Sequence, residues 1–406
     1  MGLGPLFYEK PITPPNPIGH PLAGYIARRG KSQGVHDDIF ARLLALDSEE
    51  TLVALSLDLL GVDDQIYSDL ARIAERIYGS SLLIVSATHT HSAPATLFRS
   101  PLLTFCGECF DGDYYAYFLS VVEELFSETQ AVRPESAHLC RSSVRGVATD
   151  RNDPAKHQVL SAYSLVFNYG GSRTLLFNVG VHPTVLGPEN LLISSDLVGY
   201  AVQRLKSKGF GGVLFFNGAA GNISTRFTRR SQSFEEARRL GYLLADQVGA
   251  SPGNCKALAL DDVASRQERL DVELKDPRRI LSSYKPSERG GRVGESLNEG
   301  LLLLERFSRC PNYPSRETAL LQAIRLGDAA IVAVPFELHT DIYGGLAQAA
   351  EEHGIKDLLI FSYSNGYLGY LSSTEGEVTY ERLAQLISDR TFAEVKSTLT
   401  RMLASL

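Results

Sequence analysis

Two histidines directly after an apolar run are the residues in this chain most able to do chemistry. His89 and His91 stand in a T-H-T-H stretch that follows the apolar residues 82–85. Because an extended backbone sends alternate side chains to the same side, both imidazoles can enter one site. Imidazole is a common metal ligand and also exchanges protons near neutral pH. The pair therefore predicts a metal site, a proton-transfer site or both; two surface histidines at a strand end are the alternative.

Further candidate residues stand just past the ends of later apolar runs, namely His182, Ser224, Glu337 and Tyr370. Ligands bind at the carboxyl ends of strands in α/β sheets, so we expect these residues to converge on the histidine pair. Histidines with a carboxylate are typical ligands of a catalytic zinc ion, which activates water and polarises a carbonyl. Each residue alone also has a structural interpretation: a turn histidine, a strand-to-helix turn around Ser224, or a first-turn helix acid at Glu337.

The elements that must position these residues are strands alternating with amphipathic helices. A hairpin is predicted over 40–46 and 52–58, and the strands that deliver the candidates are predicted at 82–85, 174–181, 212–216, 329–334 and 358–362. This alternation predicts an α/β fold with a mixed β-sheet core, flanking helices and a metal site at the C-terminal ends of several strands. We interpret 1–406 as a single catalytic domain, with an excursion or lid at about 275–314, where the sequence is rich in Gly, Pro and Arg.

Composition narrows the class of protein. A hydrophobic content of 44% with 21% charged residues is ordinary for a soluble globular chain, and the net charge of −7 argues against nucleic-acid binding. We expect no signal peptide, because the N-terminus lacks a basic start followed by an apolar core of about 7–15 residues. We also expect no transmembrane segment, because no apolar run approaches the roughly 20 residues that a spanning helix needs. Five cysteines without a secretory signal then favour a reducing compartment, and the cytoplasm is the expected location. Cys106 and Cys109 are interpreted as buried thiols or an occasional disulfide rather than as a metal or redox site.

Several segments of the chain resemble the neutral, non-lysosomal ceramidase family. They are A-T-H-T-H-S at 87–92, V-H-P-T at 181–184, N-G-A-A-G-N-I-S at 217–224, V-P-F-E at 334–337 and N-G-Y-L-G-Y at 365–370. These motifs occur in the family's order and cover most of the chain. The resemblance extends to the catalytic domain and not to the C-terminal immunoglobulin-like domain that members typically carry.

The resemblance implies a zinc-dependent amidase that cleaves a linear C–N bond in a small N-acyl or lipid-like substrate. It implies one Zn²⁺ ion per chain, with the ligands His89, His182, Glu337 and Tyr370. The implied catalytic residues are His91 as acid/base, Ser224 as the essential serine, Arg145 as an active-site arginine and Tyr380 as a tyrosine beside the developing oxyanion. Zinc-bound water or Ser224 would attack the amide carbonyl.

The loops that would face the substrate depart from the family pattern. The family's G-P-G-G after the second histidine is A-P-A-T at 93–96, and Asn222 and Thr225 replace an Asp and a Pro around the serine. Amide hydrolysis is therefore favoured, with a natural substrate other than ceramide. An amidohydrolase-type enzyme with eight regularly spaced βα units, or a non-catalytic metal-stabilised binding protein, are the alternatives. Arg226, Arg229 and Arg230 form either a site for an anionic substrate group or a solvated basic turn.

Overall fold

The structure, a computed structural model, describes residues 6–48, 50–248, 254–261, 263–283, 291–373 and 378–406. The strands are β1 (Phe7–Pro11), β2 (Gly34–Val35), β3 (Phe40–Leu46), β4 (Thr51–Leu57), β5 (Ser81–Ala87), β6 (Ser136–Arg145), β7 (Thr149–Asp150), β8 (Val159–Tyr169), β9 (Ser172–Val179), β10 (Leu192–Ile193), β11 (Gly212–Asn217), β12 (Ile223–Ser224), β13 (Cys255–Ala257), β14 (Val263–Glu273), β15 (Arg316–Leu326), β16 (Ala329–Ala333), β17 (Glu337–Leu338), β18 (Asp357–Phe361) and β19 (Tyr370–Leu371). The helices are α1 (Asp64–Tyr78), α2 (Pro101–Thr104), α3 (Gly112–Glu128), α4 (Asp196–Ser207), α5 (Phe234–Val248), α6 (Pro277–Ser283), α7 (Gly291–Ser308), α8 (Thr340–Glu352), α9 (Tyr380–Leu383) and α10 (Asp389–Ala404).

Three larger sheets carry the fold. Their strand orders are β1-β3-β4-β5, β14-β15-β16-β18 and β11-β9-β8-β6-β13, with parallel and antiparallel pairs in each. The first two sheets meet where the chain after β18 runs beside β5: the backbone N–H of Asn365 donates to Val85 at 2.8 Å, and that of Ala87 donates to Tyr363 at 3.0 Å. The two sheets thus form one layer, and the third sheet forms a second.

Four apolar clusters show how the layers stack. One cluster joins side chains from all three sheets. Each of the other three lies between one sheet and its helices: the first sheet packs on α1 and α3, the second on α7, α8 and α10, and the third on α4 and α5. Along β9, Leu175 and Phe177 face the helices, whereas Leu176 faces the other sheets, as the two-residue period of a strand requires. The predicted α/β class with a mixed sheet core is confirmed. Within the described ranges, the layers do not match the eight βα units of the amidohydrolase alternative.

Local sequence signals placed several elements well. The predicted hairpin is β3 and β4, which pair antiparallel with Ala41 opposite Leu57. Helix α1 begins where expected, because the carboxylate of Asp63 accepts the N–H of Ile66 at 3.0 Å. None of the helices described is both long and apolar enough to cross a bilayer.

The segment predicted as an excursion or lid, 275–314, is largely helical where it is described. It contains α6 and α7, and its residues 284–290 lie outside the described part of the chain. Helix α7 packs closely on α9: a Cβ atom on Gly300 would come within 3.1 Å of Leu383 and 3.3 Å of Tyr380. The excursion therefore packs on the short helix that begins with a predicted site residue. That the whole chain is a single domain stays a prediction.

The cysteines pair differently from the sequence interpretation. Cys106 forms a disulfide with Cys310, just after α7, and Cys140 forms one with Cys255. Cys109 is free. Of the two interpretations, thiol or disulfide, Cys109 is a thiol and Cys106 forms a disulfide. The partner of Cys106 is not Cys109, to which the C-x-x-C spacing pointed, but a cysteine 204 residues away in sequence.

We expect a thiol count to reflect this pairing. Denatured, unreduced protein should react with one equivalent of a thiol reagent, the Cys109 equivalent, and reduced protein with five. Ellman titration in guanidinium measures both numbers. Three or more reactive thiols before reduction would contradict the pairing.

Candidate metal centre and active site

The histidine pair stands where the chain leaves β5. Here the backbone is not extended: His89 has φ of 71°, a left-handed conformation uncommon for a residue with a side chain. It is fixed by the N–H groups of Thr88 and His89, which donate to Leu57 and Leu59 at 2.8 and 2.9 Å. The prediction that an extended strand places both histidines on one side was therefore wrong about the backbone, although the imidazole rings of His89 and His91 do lie together. The Nε2 atoms of His89 and His91 are 3.2 Å apart.

Backbone carbonyls orient two of the three histidine rings. The Nδ1 of His89 bonds the carbonyl of Leu60 at 2.6 Å, and the Nδ1 of His182 bonds that of Ala220 at 2.7 Å. A carbonyl can only accept, so each Nδ1 carries a proton, and Nε2 of each ring points inward, where it can serve as a metal ligand. Carbonyl partners of this kind commonly orient metal-binding histidines.

The carboxylate of Glu337 faces these nitrogen atoms. Its Oε2 atom lies 3.0 Å from Nε2 of His182 and 3.3 Å from Nε2 of His89. Its Oε1 atom accepts the hydroxyl of Tyr367 at 2.6 Å. Strands β17 and β19 pair in parallel with Glu337 opposite Tyr370, so the two side chains enter the site together. The hydroxyl of Tyr370 is 3.4 Å from Nε2 of His182.

The donor set fits a metal cation. Two imidazole lone pairs aimed at a carboxylate oxygen repel it unless positive charge lies between them. Protonation does not supply that charge at neutral pH on His182, because burial lowers its pKa below the usual 6.5. The ligand atoms of His89, His91 and His182 lie within 4.8 Å of one another, so the cluster can hold a metal ion. Imidazole and carboxylate ligands suit zinc and other first-row transition metals.

Electrostatics keep these groups in the protonation states that bind cations. Burial, and then the neighbouring His89 and His182, lower the pKa of His91 well below its usual range. Burial raises the pKa of Glu337, but interaction with positive charge on the adjacent His89 and His182 outweighs this effect and lowers the pKa well below 4.5. A metal cation held between neutral rings would supply the same positive charge. Neutral imidazoles and an ionised carboxylate are the forms that ligate metals.

A largely buried arginine that the sequence analysis missed, with 11% of its side chain exposed, holds the hydroxyl of Tyr370. Arg151 Nη2 donates to that hydroxyl at 3.0 Å and to the carbonyl of Gly221 at 2.8 Å. Its Nε donates to the fully buried carboxylate of Glu381, which also accepts from the Asn152 amide at 3.1 Å. Arg151 follows the two-residue strand β7, which no apolar run marks in the sequence. The surrounding stretch, T-D-R-N at 149–152, shows no periodic pattern that would indicate a strand.

Arg145, the arginine selected from the sequence, is not brought into the cluster. It ends the long strand β6 with an exposed side chain, and its backbone N–H donates to Gln247 Oε1 at 2.8 Å. The chain then turns back into β7, which pairs with β12 at Thr149 opposite Ser224. This turn carries Arg151, six positions later, into the site. Arg151, and not Arg145, therefore lies beside the candidate ligands, and an active-site role for an arginine stays a prediction.

Ser224 and Tyr380 lie beside the candidate ligands. Ser224 forms a β-bridge with His182, and its hydroxyl accepts the N–H of Arg226 at 3.2 Å. The Tyr380 ring meets that of Tyr370 edge-on at 5.5 Å, and the Arg151 guanidinium lies 5.0 Å from the Tyr380 ring centre. Both positions agree with the predicted neighbourhood, and their roles in a reaction stay predictions.

Two further aromatic residues enclose the histidines. Tyr363, which the sequence analysis did not select, stacks on His89 with ring centres 3.9 Å apart. Tyr25 meets His91 edge-on at 4.8 Å. Gly24 precedes it with φ of 94°, and a Cβ atom there would stand 2.4 Å from Cγ of His91, so only glycine fits beside that ring.

The arginines after Ser224 are engaged by the chain itself. Arg226 donates to the hydroxyl of Ser296 and lies 3.6 Å from the carboxylate of Glu299, both on α7. Arg229 donates to the carbonyl of Thr184. These contacts favour a structural role over the anion-binding interpretation.

The chain is similar in structure to two solved ceramidases. No protein-family model matches its sequence. With the neutral ceramidase from Pseudomonas aeruginosa it has a TM-score of 0.74 and 17% identity, over 98% of this chain and 73% of that one. With a ceramidase complexed with C2 it has a TM-score of 0.73 and 19% identity, over 98% of this chain and 74% of that one. The resemblance seen in the sequence motifs is confirmed at the level of the fold: this chain has the fold of the neutral ceramidases.

Proposed function

We propose that this protein is a zinc-dependent hydrolase that cleaves the C–N amide bond of an N-acyl compound. A shared fold alone does not establish an activity, so the site must carry the argument. The observation that carries it is the convergence of two carbonyl-oriented histidines, a buried carboxylate and a tyrosine hydroxyl held by a largely buried arginine. The fold of the neutral ceramidases supports the same conclusion.

Under this proposal His89, His182, Glu337 and Tyr370 hold the ion. When bound, it supplies a Lewis acid for the carbonyl and lowers the pKa of water. His91 Nε2 takes the proton of the attacking hydroxyl and returns it to the leaving amine, since it stands beside the ligand set and is neutral.

The remaining side chains orient the substrate and stabilise charge. Arg151 and Tyr380 lie side by side and offer donors to the oxygen that becomes negative, the kind of preorganised electrostatics that lowers barriers most. Ser224 either attacks the carbonyl or hydrogen-bonds the substrate. Because Glu381 fixes the Arg151 guanidinium, little reorganisation is needed during the reaction.

The comparisons and the loop differences support a substrate class. One similar structure is a ceramidase complexed with C2, which favours a lipid-like N-acyl substrate and a role in lipid metabolism. The altered residues at 93–96, 222 and 225 favour an acyl amide other than ceramide. The cytoplasmic location stays a prediction. The two disulfides favour an oxidising compartment instead, because disulfides persist there and are rare in the cytoplasm.

We expect the purified protein to contain about one zinc ion per chain and to hydrolyse at least one member of an N-acyl amide panel. Removal of the metal by a chelator should abolish this activity, and added Zn²⁺ should restore it. Elemental analysis and release of the free amine measure the two properties on the same preparation. Zinc at one per chain with no hydrolysis would instead support the non-catalytic binding protein.

A further inference from the structure

A cavity lies apart from the metal centre, between the third sheet, β18 and α8. Its volume is about 270 Å³. None of the eight site residues predicted from the sequence lines it. Most of its wall is apolar and formed by Val159, Leu160, Val179, Ile223, Leu358 and Ile360.

The cavity has a buried apolar base and a polar mouth. Leu160, Val179 and Ile360 are 7%, 1% and 1% exposed, whereas His157 and Ser161 are exposed. At the mouth, Nε2 of His157 lies 3.2 Å from the hydroxyl of Thr340. An apolar pocket with a few polar groups at one side is the usual form of a small-molecule site.

An exposed glycine of α8 borders the cavity. Gly344 lies within α8 and lines the cavity, and a Cβ atom there would meet no atom within 4 Å. Glycine at such a position costs about 1 kcal/mol relative to alanine. Because Gly344 borders the cavity, a long apolar side chain at this position has room to extend across its opening.

One loop separates the cavity from the metal centre. Ala219 and Ile223 line the cavity, while the carbonyl of Ala220 between them holds Nδ1 of His182. The carbonyl of Ile223 also accepts the backbone N–H of His182, at 3.0 Å. At the cavity mouth, the Thr340 hydroxyl accepts the amide of Asn222, which belongs to the same loop. A molecule in the cavity thus contacts the loop from the side opposite the candidate ligands.

We propose that this cavity is a second binding site, for an alkyl chain or ring of about six to ten carbons that ends in a hydrogen-bonding oxygen, since an apolar cavity of roughly 150 Å³ already holds benzene. The apolar part fills the base, and the terminal oxygen meets His157 and Ser161 at the mouth. Medium-chain alcohols and carboxylic acids share this chemistry. The proposal does not depend on the proposed amidase activity, because its readout is binding.

The test is calorimetric titration with 1-octanol and octanoate. Gly344→Leu should weaken binding by about tenfold or more, because the four added carbons occupy the volume of the ligand. Gly344→Ala should give an intermediate loss. The matched control is Gly345→Leu: Gly345 is the next residue of α8, has no atom within 4 Å of a Cβ position and does not line the cavity. That variant should bind as the wild type does.

The two ligands and a metal-free sample distinguish the outcomes. Tighter binding of octanoate indicates a carboxylate at the mouth, and equal binding indicates that the alkyl chain dominates. Binding that survives chelation places the ligand away from the metal centre, as proposed. The proposal is overturned if neither ligand binds wild type, if binding requires the metal, or if Gly344→Leu and Gly345→Leu bind alike while both melt as wild type does.

Discussion

Alanine in place of His89 or His182 is expected to weaken zinc binding by on the order of 100-fold or more and to abolish amide hydrolysis, since even outer partners of metal ligands contribute 10–100-fold. His91→Ala is expected to keep the metal and lose turnover. The reason is a division of labour: carbonyls of Leu60 and Ala220 orient the first two rings, whereas Nδ1 of His91 is buried without a hydrogen-bond partner among the described residues. Zinc content after dialysis and turnover under zinc saturation measure the two effects separately.

The comparison of the three variants decides the ligand set. All three rings are close enough to bind one ion, so loss of zinc from His91→Ala would make His91 a ligand and contradict its acid/base role. The control is His353→Ala, an exposed histidine at the end of α8. It should retain both the metal and the activity.

Replacement of Glu381 by glutamine is expected to lower the free energy of unfolding by about 3–5 kcal/mol, because it leaves the buried Arg151 guanidinium without its counter-charge. Turnover should fall as well, since the guanidinium that reaches Tyr370 is no longer fixed. Chemical denaturation gives the first quantity and steady-state kinetics the second. An exposed carboxylate provides the control: Asp246→Asn, which removes the partner of Arg204 and Lys208, should cost less than about 1 kcal/mol.

A double replacement separates stability from chemistry. Arg151→Met combined with Glu381→Leu removes both charges and should recover most of the stability, because a buried ion pair and an apolar pair of similar volume are often equivalent. Turnover should stay lost, since the donor to the hydroxyl of Tyr370 is gone. Full activity in the double variant would exclude Arg151 from the reaction.

The same ion pair has a pH signature. Burial raises the pKa of Glu381, but the Arg151 charge and hydrogen bonds from Thr379 and Arg151 outweigh it and hold the pKa at about 2. A carboxyl whose pKa is lowered by folding stabilises the protein above its unfolded pKa, and that contribution is lost as the pH falls towards 2. Acid denaturation of wild type should therefore be steeper than that of the double variant.

The sequence predicted the parts of the fold that depend on local patterns. Runs of apolar residues predicted β5, β9, β11, β16 and β18, and a candidate polar residue follows each of these strands in sequence. Because ligands bind at the carboxyl ends of strands in α/β folds, these residues could be expected to lie close together. Asp63 marked the start of α1 by a capping signal. These inferences need only the neighbouring residues, which is why they succeeded.

The features that sequence reasoning missed depend on contacts between distant segments. Arg151 follows a strand of two residues, too short for periodicity to show, and enters the site because β7 pairs with β12. Tyr363 was missed because its stacking on His89 joins positions 274 apart, where the chain after β18 runs beside β5. The disulfide between Cys106 and Cys310 also joins distant segments, which are 204 residues apart in sequence. For Cys106 the local pattern indicated the wrong partner, Cys109, and for Arg151 and Tyr363 no local pattern indicated a contact.

The parallel pairing of β17 with β19 has a consequence for how the protein tolerates change in loop length. Each strand has two residues, so Glu337 and Tyr370 form one of only two registered positions in that ladder. A strand that slips by one residue sends its side chains to the opposite face. One residue inserted or deleted in 334–336 or 366–369 would therefore turn a candidate ligand away from the others. Loops usually accept such changes readily, but these two connections would be among the least permissive in the molecule.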